Sequence, residues 1–206
     1  MMQDFLNSSI LKAVGSHFKV VKDDLTSENL LQVVKDKNIL EDDEATYAKV
    51  LNSDFHDGVI EVDVLSRLLP DAPEHARGFI GLAFRISEDD SSFESFYIRP
   101  TNGRADTQLR RNRATQYFSY PNFKYFHSRE ANPGEYESYA DIALDEWIHL
   151  KVVVAGEKAQ LYLNHQEQPV LIVNDLKHGD SKGQIGMWVD IGTEGYFKNL
   201  EITATD

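Results

Sequence analysis

Residues 59–64, Val-Ile-Glu-Val-Asp-Val, follow an Asp57-Gly58 turn and alternate apolar and acidic side chains with a period of two. A helix of 3.6 residues per turn would scatter those apolar side chains around its circumference, whereas a strand puts them all on one face. Comparable short runs recur along the chain at residues 17–21, 30–34, 46–51, 78–86, 93–99, 117–120, 136–142, 147–154, 159–163, 170–173, 184–189 and 196–203. Turns such as Glu88-Asp89-Asp90, Ala155-Gly156-Glu157 and Gly179-Asp180-Ser181 separate them. There is no long helical period and no internal repeat; residues 5–14 have room for one or two helical turns. The pattern predicts an all-β fold, an antiparallel two-sheet β-sandwich of the jelly-roll kind. At 206 residues it predicts one domain over 1–206, with 1–54 supplying N-terminal strands and 55–204 the body.

Strand parity then sorts side chains. If Ile60, Val62 and Val64 face the core, Glu61 and Asp63 face away. By the same rule Arg85 opposes Phe84 and Ile86, and Tyr97 and Arg99 oppose Phe96 and Ile98. Tyr139 and Asp141 oppose Ala140 and Ile142, and Trp188 and Asp190 oppose Met187 and Val189. Placed on one sheet, these residues make a face of acids, arginines and aromatic rings. Ordinary solvent faces carry Lys, Thr and Glu, so this face is expected to bind a ligand.

The stretch 93–126 adds to that expectation. Five of the nine arginines (Arg99, Arg104, Arg110, Arg111, Arg113) fall within fifteen residues, and six aromatics follow between Tyr117 and Phe126. Guanidinium forks bind hydroxyls, carboxylates and phosphates, and aromatic faces accept the apolar face of a sugar. Acids outnumber bases 34 to 21, for a net charge of −13, so the cluster is local and runs against its background. That balance speaks against a duplex nucleic-acid binder, which needs a basic footprint. Tyr117, Tyr120, Tyr125 and Phe126 either stack on sugar rings or cap the core beneath a loop. His127, beside these rings, is an acid–base candidate.

The 59–64 strand, the FYIRPTNGR stretch, the DEWIHLKVVVAGEKAQLYLN hairpin and the closing GQIGMWVDIGTEGYFKNLEI together resemble the concanavalin A-like lectin/glucanase superfamily. Within it, the chain is similar to bacterial laminin-G-like and 3-keto-disaccharide hydrolase-like domains. The resemblance covers roughly residues 55–204 and implies a two-sheet jelly roll whose concave face binds carbohydrate, often with a calcium ion structuring a rim loop. Laminarinase-type members carry two glutamates at the ends of an E-x-D-x-x-E or E-x-D-x-E strand. Here Glu61-Val62-Asp63 matches the first half, but Leu65 and Ser66 stand where the second glutamate belongs. The retaining mechanism needs both carboxyl groups, so the resemblance does not extend to that chemistry.

Three functions follow. The first is a carbohydrate-binding jelly roll that holds a saccharide on one sheet face, with ligand contacts from Arg85, Tyr97, Arg99, Arg104, Arg111, Tyr117, Tyr139, Asp141, Trp188 and Asp190. The second is a hydrolase or lyase acting on a glycoside or keto-sugar, with Glu61 or Asp63 as base. The third is a protein-interaction domain, since Arg and Tyr also populate interfaces. The arginine density favours an acidic or oxidised ligand. The seven histidines show no metal-ligand spacing, and no cofactor is required. Asn52-Ser53-Asp54 and Asn174-Asp175 with Asp180 are oxygen donors for a structural calcium ion. With no cysteine, no basic n-region before an apolar stretch and no run of about 20 apolar residues, the expectation is a cytoplasmic protein that does not engage a membrane. The residues do not fix an oligomeric state.

Overall fold

The computed structural model describes residues 6–205, so Phe5 and the residues before it lie outside the described chain. A 3-10 turn at Ser8–Ile10 occupies part of the segment expected to be helical. The strands follow as β1 (Leu11–Val14), β2 (Ser16–Lys22), β3 (Asn29–Lys35), β4 (Tyr47–Phe55), β5 (Asp57–Leu68), β6 (Ile80–Ile86) and β7 (Phe93–Ile98). Two helical turns, α1 (Pro100–Gly103) and α2 (Gln108–Arg111), lead into β8 (Thr115–Tyr120), and α3 (Tyr125–Ala131) into β9 (Glu137–Ser138). The chain closes with β10 (Ile148–Ala155), β11 (Lys158–Leu163), β12 (Leu171–Val173), β13 (Gly183–Val189) and β14 (Thr193–Thr205). Among the described residues, no helix is long and apolar enough to cross a membrane.

Two seven-stranded antiparallel sheets result, the first ordered β1-β4-β13-β6-β7-β8-β9 and the second β12-β11-β10-β5-β14-β3-β2. The N-terminal strands are divided between them, β1 and β4 in the first and β2 and β3 in the second. Ile60, Val62 and Val64 of β5 meet Leu82, Phe84, Phe96, Met187 and Val189 of the first sheet in one buried cluster, as alternation requires. Tyr117 also joins this core, donating its hydroxyl to the buried Glu94 at 2.7 Å, so it is not a ligand-facing residue. Its partner across the ladder, Phe96, is core-facing too, and residues opposite one another share a face.

A second apolar layer covers the other face of the first sheet: Tyr47, Ala83, Ile86, Phe93, Tyr97, Phe118 and Trp188. Ladder pairing lines up Tyr47, Trp188, Gly81, Tyr97, Gln116 and Glu137 as one row across six strands. Gly81 makes that row close. With no side chain between them, the Trp188 and Tyr97 rings stack with centroids 4.7 Å apart.

Two departures from the expected strands have local causes. The stretch 136–142 forms only the two-residue β9, although Ala140 and Ile142 still point into the core. Ile86 and Arg85 break the expected parity. The β6–β13 register shifts between Gln184 and Gly186, Arg85 adopts φ +52°, and Ile86 joins the outer layer. The Arg85 guanidinium turns to the end of the sandwich, donating to the His56 and Gly179 carbonyls (3.0 and 2.8 Å) and to Asp57 (3.0 Å).

A Cβ on Gly81 would lie 2.1 Å from the Phe96 carbonyl oxygen and 2.6 Å from the Tyr97 Cα. Gly81→Ala is expected to cost about 2 kcal/mol or more through overpacking. On thermal melting that reads as a Tm roughly 5 °C lower. An unchanged Tm would show that the row yields without cost.

Candidate functional site

The aromatic row is sealed rather than open. Trp188 and Tyr47 are fully buried and Tyr97 is 1 % exposed, so none offers a bare ring face. The acidic loop before β4 lies over them: the Glu44 carbonyl accepts from the Trp188 indole at 2.8 Å, and Lys124, at the start of α3, ties that loop down through the Asp42 carbonyl (3.0 Å) and the Glu44 carboxylate. What stays open is one end of the sheet, where β7 and β13 run out. There a cavity of about 220 Å³ is lined by Asp42, Asp43, His75, Arg77, Phe79, Tyr97, Arg99, Asn102, Arg110, Arg113, Tyr125, Arg129 and Asp190.

Five of the chain's nine arginines reach this cavity. Arg99, the residue after β7, is spent on the protein itself. One Nη donates to the Tyr97 hydroxyl (2.7 Å) and Gln116 Oε1 (2.9 Å), the other to the Arg113 carbonyl (3.0 Å) and Glu137 Oε1 (3.2 Å). Glu137 also takes a fork from Arg129, with contacts of 2.6 and 3.1 Å, and lies 3.8 Å from Arg113. Arg77 and Arg110 have only neutral acceptors among the described residues. Arg77 donates to the Glu74 and Ala76 carbonyls, and Arg110 to Asn102 Oδ1 and to the carbonyl and hydroxyl of Thr101. Burial, then the neighbouring guanidinium groups, hold Arg77 and Arg113 below the usual arginine range.

The facing wall is acidic. Asp43 has φ +53° in the strapped loop, a conformation Asp and Asn tolerate better than most residues. Its amide donates to Asp190 Oδ2 at 2.9 Å, and its own Oδ2 accepts from the Tyr125 amide at 2.8 Å. Asp190 Oδ1 accepts from Lys35 at 2.6 Å and from the Ile191 amide at 2.7 Å. Lys35 thus pairs with Asp190 and not with Asp43. Burial and the Asp190 charge push Asp43 up to about 7, while the Tyr125 amide, Arg99 and the hydrogen bond from Tyr97 pull the other way. Burial raises Asp190 too, against Lys35.

Of the residues expected to share one face, the structure brings together Tyr97, Arg99 and Asp190, with Trp188 buried beside them. It separates the rest. Glu61 and Asp63 lie on the outer side of the second sheet, where both hold His149, at 3.2 and 2.8 Å. Arg85 lies about 17 Å of strand rise from Ile80, at the opposite end of β6. Arg104 pairs with Asp141 and Glu146 at 2.7 Å on the exterior, Arg111 donates to the Ala105 carbonyl at 2.6 Å, and Tyr139 is exposed away from the cavity. His127 caps α3, its Nδ1 accepting from the Lys124 amide at 3.0 Å. The oxygen donors named for calcium are engaged separately: Ser53 with the Val50 carbonyl, Asp54 with Lys182, Asp175 with Tyr136 and Lys177. Asp180 meets His56 and Asp57, a cluster able to hold a metal by geometry, but the Arg85 guanidinium already lies against both carboxylates.

Sequence reasoning missed Asp43, Arg77 and Arg129. Asp43 lies in an acidic run that reads as a solvated loop, and the two arginines stand alone, far from the cluster at 99–113.

No protein-family model matches the chain, and no curated protein matches its sequence. Solved structures do match its fold. Carbohydrate-binding module CBM66 from Bacillus subtilis superposes with a TM-score of 0.53 at 15% identity, over 92% of this chain and 95% of its own. A glycosyl hydrolase candidate from Parabacteroides distasonis gives 0.55 at 14% identity, over 95% and 99%. A Bacillus subtilis protein of unknown function with a galectin-like fold gives 0.54 at 12% identity, over 95% and 90%. The fold is therefore a two-sheet antiparallel jelly roll shared with these structures.

Asp43 has a consequence for stability. Between the unfolded value of 3.8 and about 7, the folded chain keeps a proton that the unfolded chain has released. Stability therefore falls as pH rises through that window. Asp43→Asn keeps the backbone conformation and the acceptor for Tyr125 but removes the charge. At pH 8 it is expected to melt about 5 °C or more above the parent, a gap that nearly closes at pH 4. A gap of equal size at both pH values would show that Asp43 is an ordinary carboxylate.

Proposed function

We propose that this chain is a carbohydrate-binding jelly roll that takes a single sugar unit end-on into the arginine-lined cavity, rather than a glycan laid along the sheet. The observation that carries this is the sealing of the aromatic row, which buries Tyr47, Tyr97 and Trp188 and leaves an arginine-lined cavity open at one end of that face. The Phe79 and Tyr125 rings at its walls can cover an apolar sugar face. The carboxyl groups accept sugar hydroxyls, and the guanidinium groups donate to ring and hydroxyl oxygens. A volume of about 220 Å³ is room for one sugar ring. That a carbohydrate-binding module is among the chain's structural neighbours supports the reading.

A second reading is favoured by one observation, a buried carboxyl group poised near neutrality inside the cavity. Such a group suits general acid–base work, so Asp43 replaces Glu61 and Asp63 as the candidate if the chain turns a sugar over. Turnover would then be lost in Asp43→Asn with binding retained.

Titration calorimetry with a panel of neutral and acidic monosaccharides and short glycans tests the first reading. Binding by at least one panel member is expected, weakened roughly 5- to 10-fold in Tyr125→Ala, as the loss of about 1 kcal/mol of ring contact would give. Failure of every sugar to bind would remove it.

A further inference from the structure

Resting on the saccharide reading, we infer that the sugar unit this cavity selects carries a negatively charged group, a carboxylate or a sulfate ester, received between Arg77 and Arg110. Charge inventory is the first ground. Among the described residues, Glu137 is the one carboxylate in contact with Arg99, Arg113 and Arg129, so a single negative charge answers three positive ones. Among the described residues, Arg77 and Arg110 meet only carbonyl, amide and hydroxyl oxygens. A half-buried guanidinium with neutral partners is poorly compensated in a site of reduced dielectric, and an anion is the ligand that completes it.

The second ground is where the positive charge stands. The chain as a whole is at −13, and abundant carboxylates could have been placed beside these arginines. Arg104, by contrast, is paired with both Asp141 and Glu146, and Arg67 with Asp145. Outside the cavity Arg67, Arg85 and Arg104 each have a carboxylate of their own, Arg111 being the exception, whereas inside it five arginines have Glu137 alone as an ion-pair partner among the described residues. Burial first, and then the neighbouring guanidinium groups, hold Arg77 and Arg113 below the usual arginine range, and an arriving anion offsets that repulsion.

The third ground is polarity across the cavity. Asp42, Asp43 and Asp190 form the wall facing the arginines. An acidic sugar offers a matching pair of ends, an anionic substituent for the guanidinium groups and hydroxyl donors for the carboxyl groups. A neutral sugar uses only the second. A bare inorganic anion uses only the first and meets repulsion from the acidic wall.

The test compares glucose, glucuronic acid, its methyl ester and glucose 6-sulfate by calorimetry on the full chain. Glucuronic acid or glucose 6-sulfate is expected to bind at least tenfold more tightly than glucose, and which of the two does so names the anion. The methyl ester keeps the shape of glucuronic acid without its charge and is expected to fall back to the level of glucose. Affinity for the acid should weaken as salt rises from 50 to 500 mM. Arg77→Met and Arg110→Met are each expected to remove most of the tenfold preference, while Arg67→Met, on the other sheet, leaves it intact. Because the acid–ester comparison uses the unaltered protein, it decides the matter even if a variant fails to fold. Glucose or the methyl ester binding as tightly as either anion would overturn the inference and leave the saccharide reading standing. Binding by none of the wider panel would remove both.

Discussion

Glu137 holds the working end of this molecule together. Its side chain is almost wholly buried, and it is in contact with Arg99, Arg113 and Arg129. A lone carboxylate there would be strongly destabilising, and so would each guanidinium without it; removing one partner of such a group typically costs about 3–5 kcal/mol. The node also fixes position. Arg99 cannot swing, because its forks are taken by Tyr97, Gln116 and Glu137 at once. Arg129 is held over the Tyr125 ring at 4.8 Å. The two-residue strand β9 exists to the extent that it hydrogen-bonds to β8 and sets Glu137 opposite Gln116.

From that node the rest of the site follows outward. The row from Tyr47 to Glu137 fills the outer face of the first sheet, and the loop carrying Asp42–Glu44 is drawn down over it. Filling the face converts what could have been a long groove into a cavity at one end. The same closure buries Asp43 and Asp190 beside each other; burial raises both carboxyl groups, and the Asp190 charge raises Asp43 further. Acid wall and arginine wall are thus two outcomes of one packing arrangement.

Sequence alone determined the sandwich. Alternation in β5, β10 and β13, with turns between short runs, leaves few other ways to bury so many period-two apolar faces. It also paired Tyr97 with Arg99 and Trp188 with Asp190 on a common side, because parity within an unbroken strand is a covalent fact. Parity failed where the ladder slipped: the bulge at Arg85 sent its guanidinium to the far end of β6 and turned Ile86 outward, and no residue type near it announces that shift.

Which sheet a strand joins was not legible. Glu61 and Asp63 point away from the core as expected, yet β5 belongs to the second sheet, so their face looks away from that of Tyr97 and Asp190. Nor could local pattern place Arg77, Arg129 and Asp43 together, since they come from a loop before β6, a short helix and a loop before β4. Local stereochemistry fixes where a side chain points relative to its neighbours in the chain. Which distant segments share a cavity is fixed by strand order and loop closure, and those are set by packing over the whole molecule.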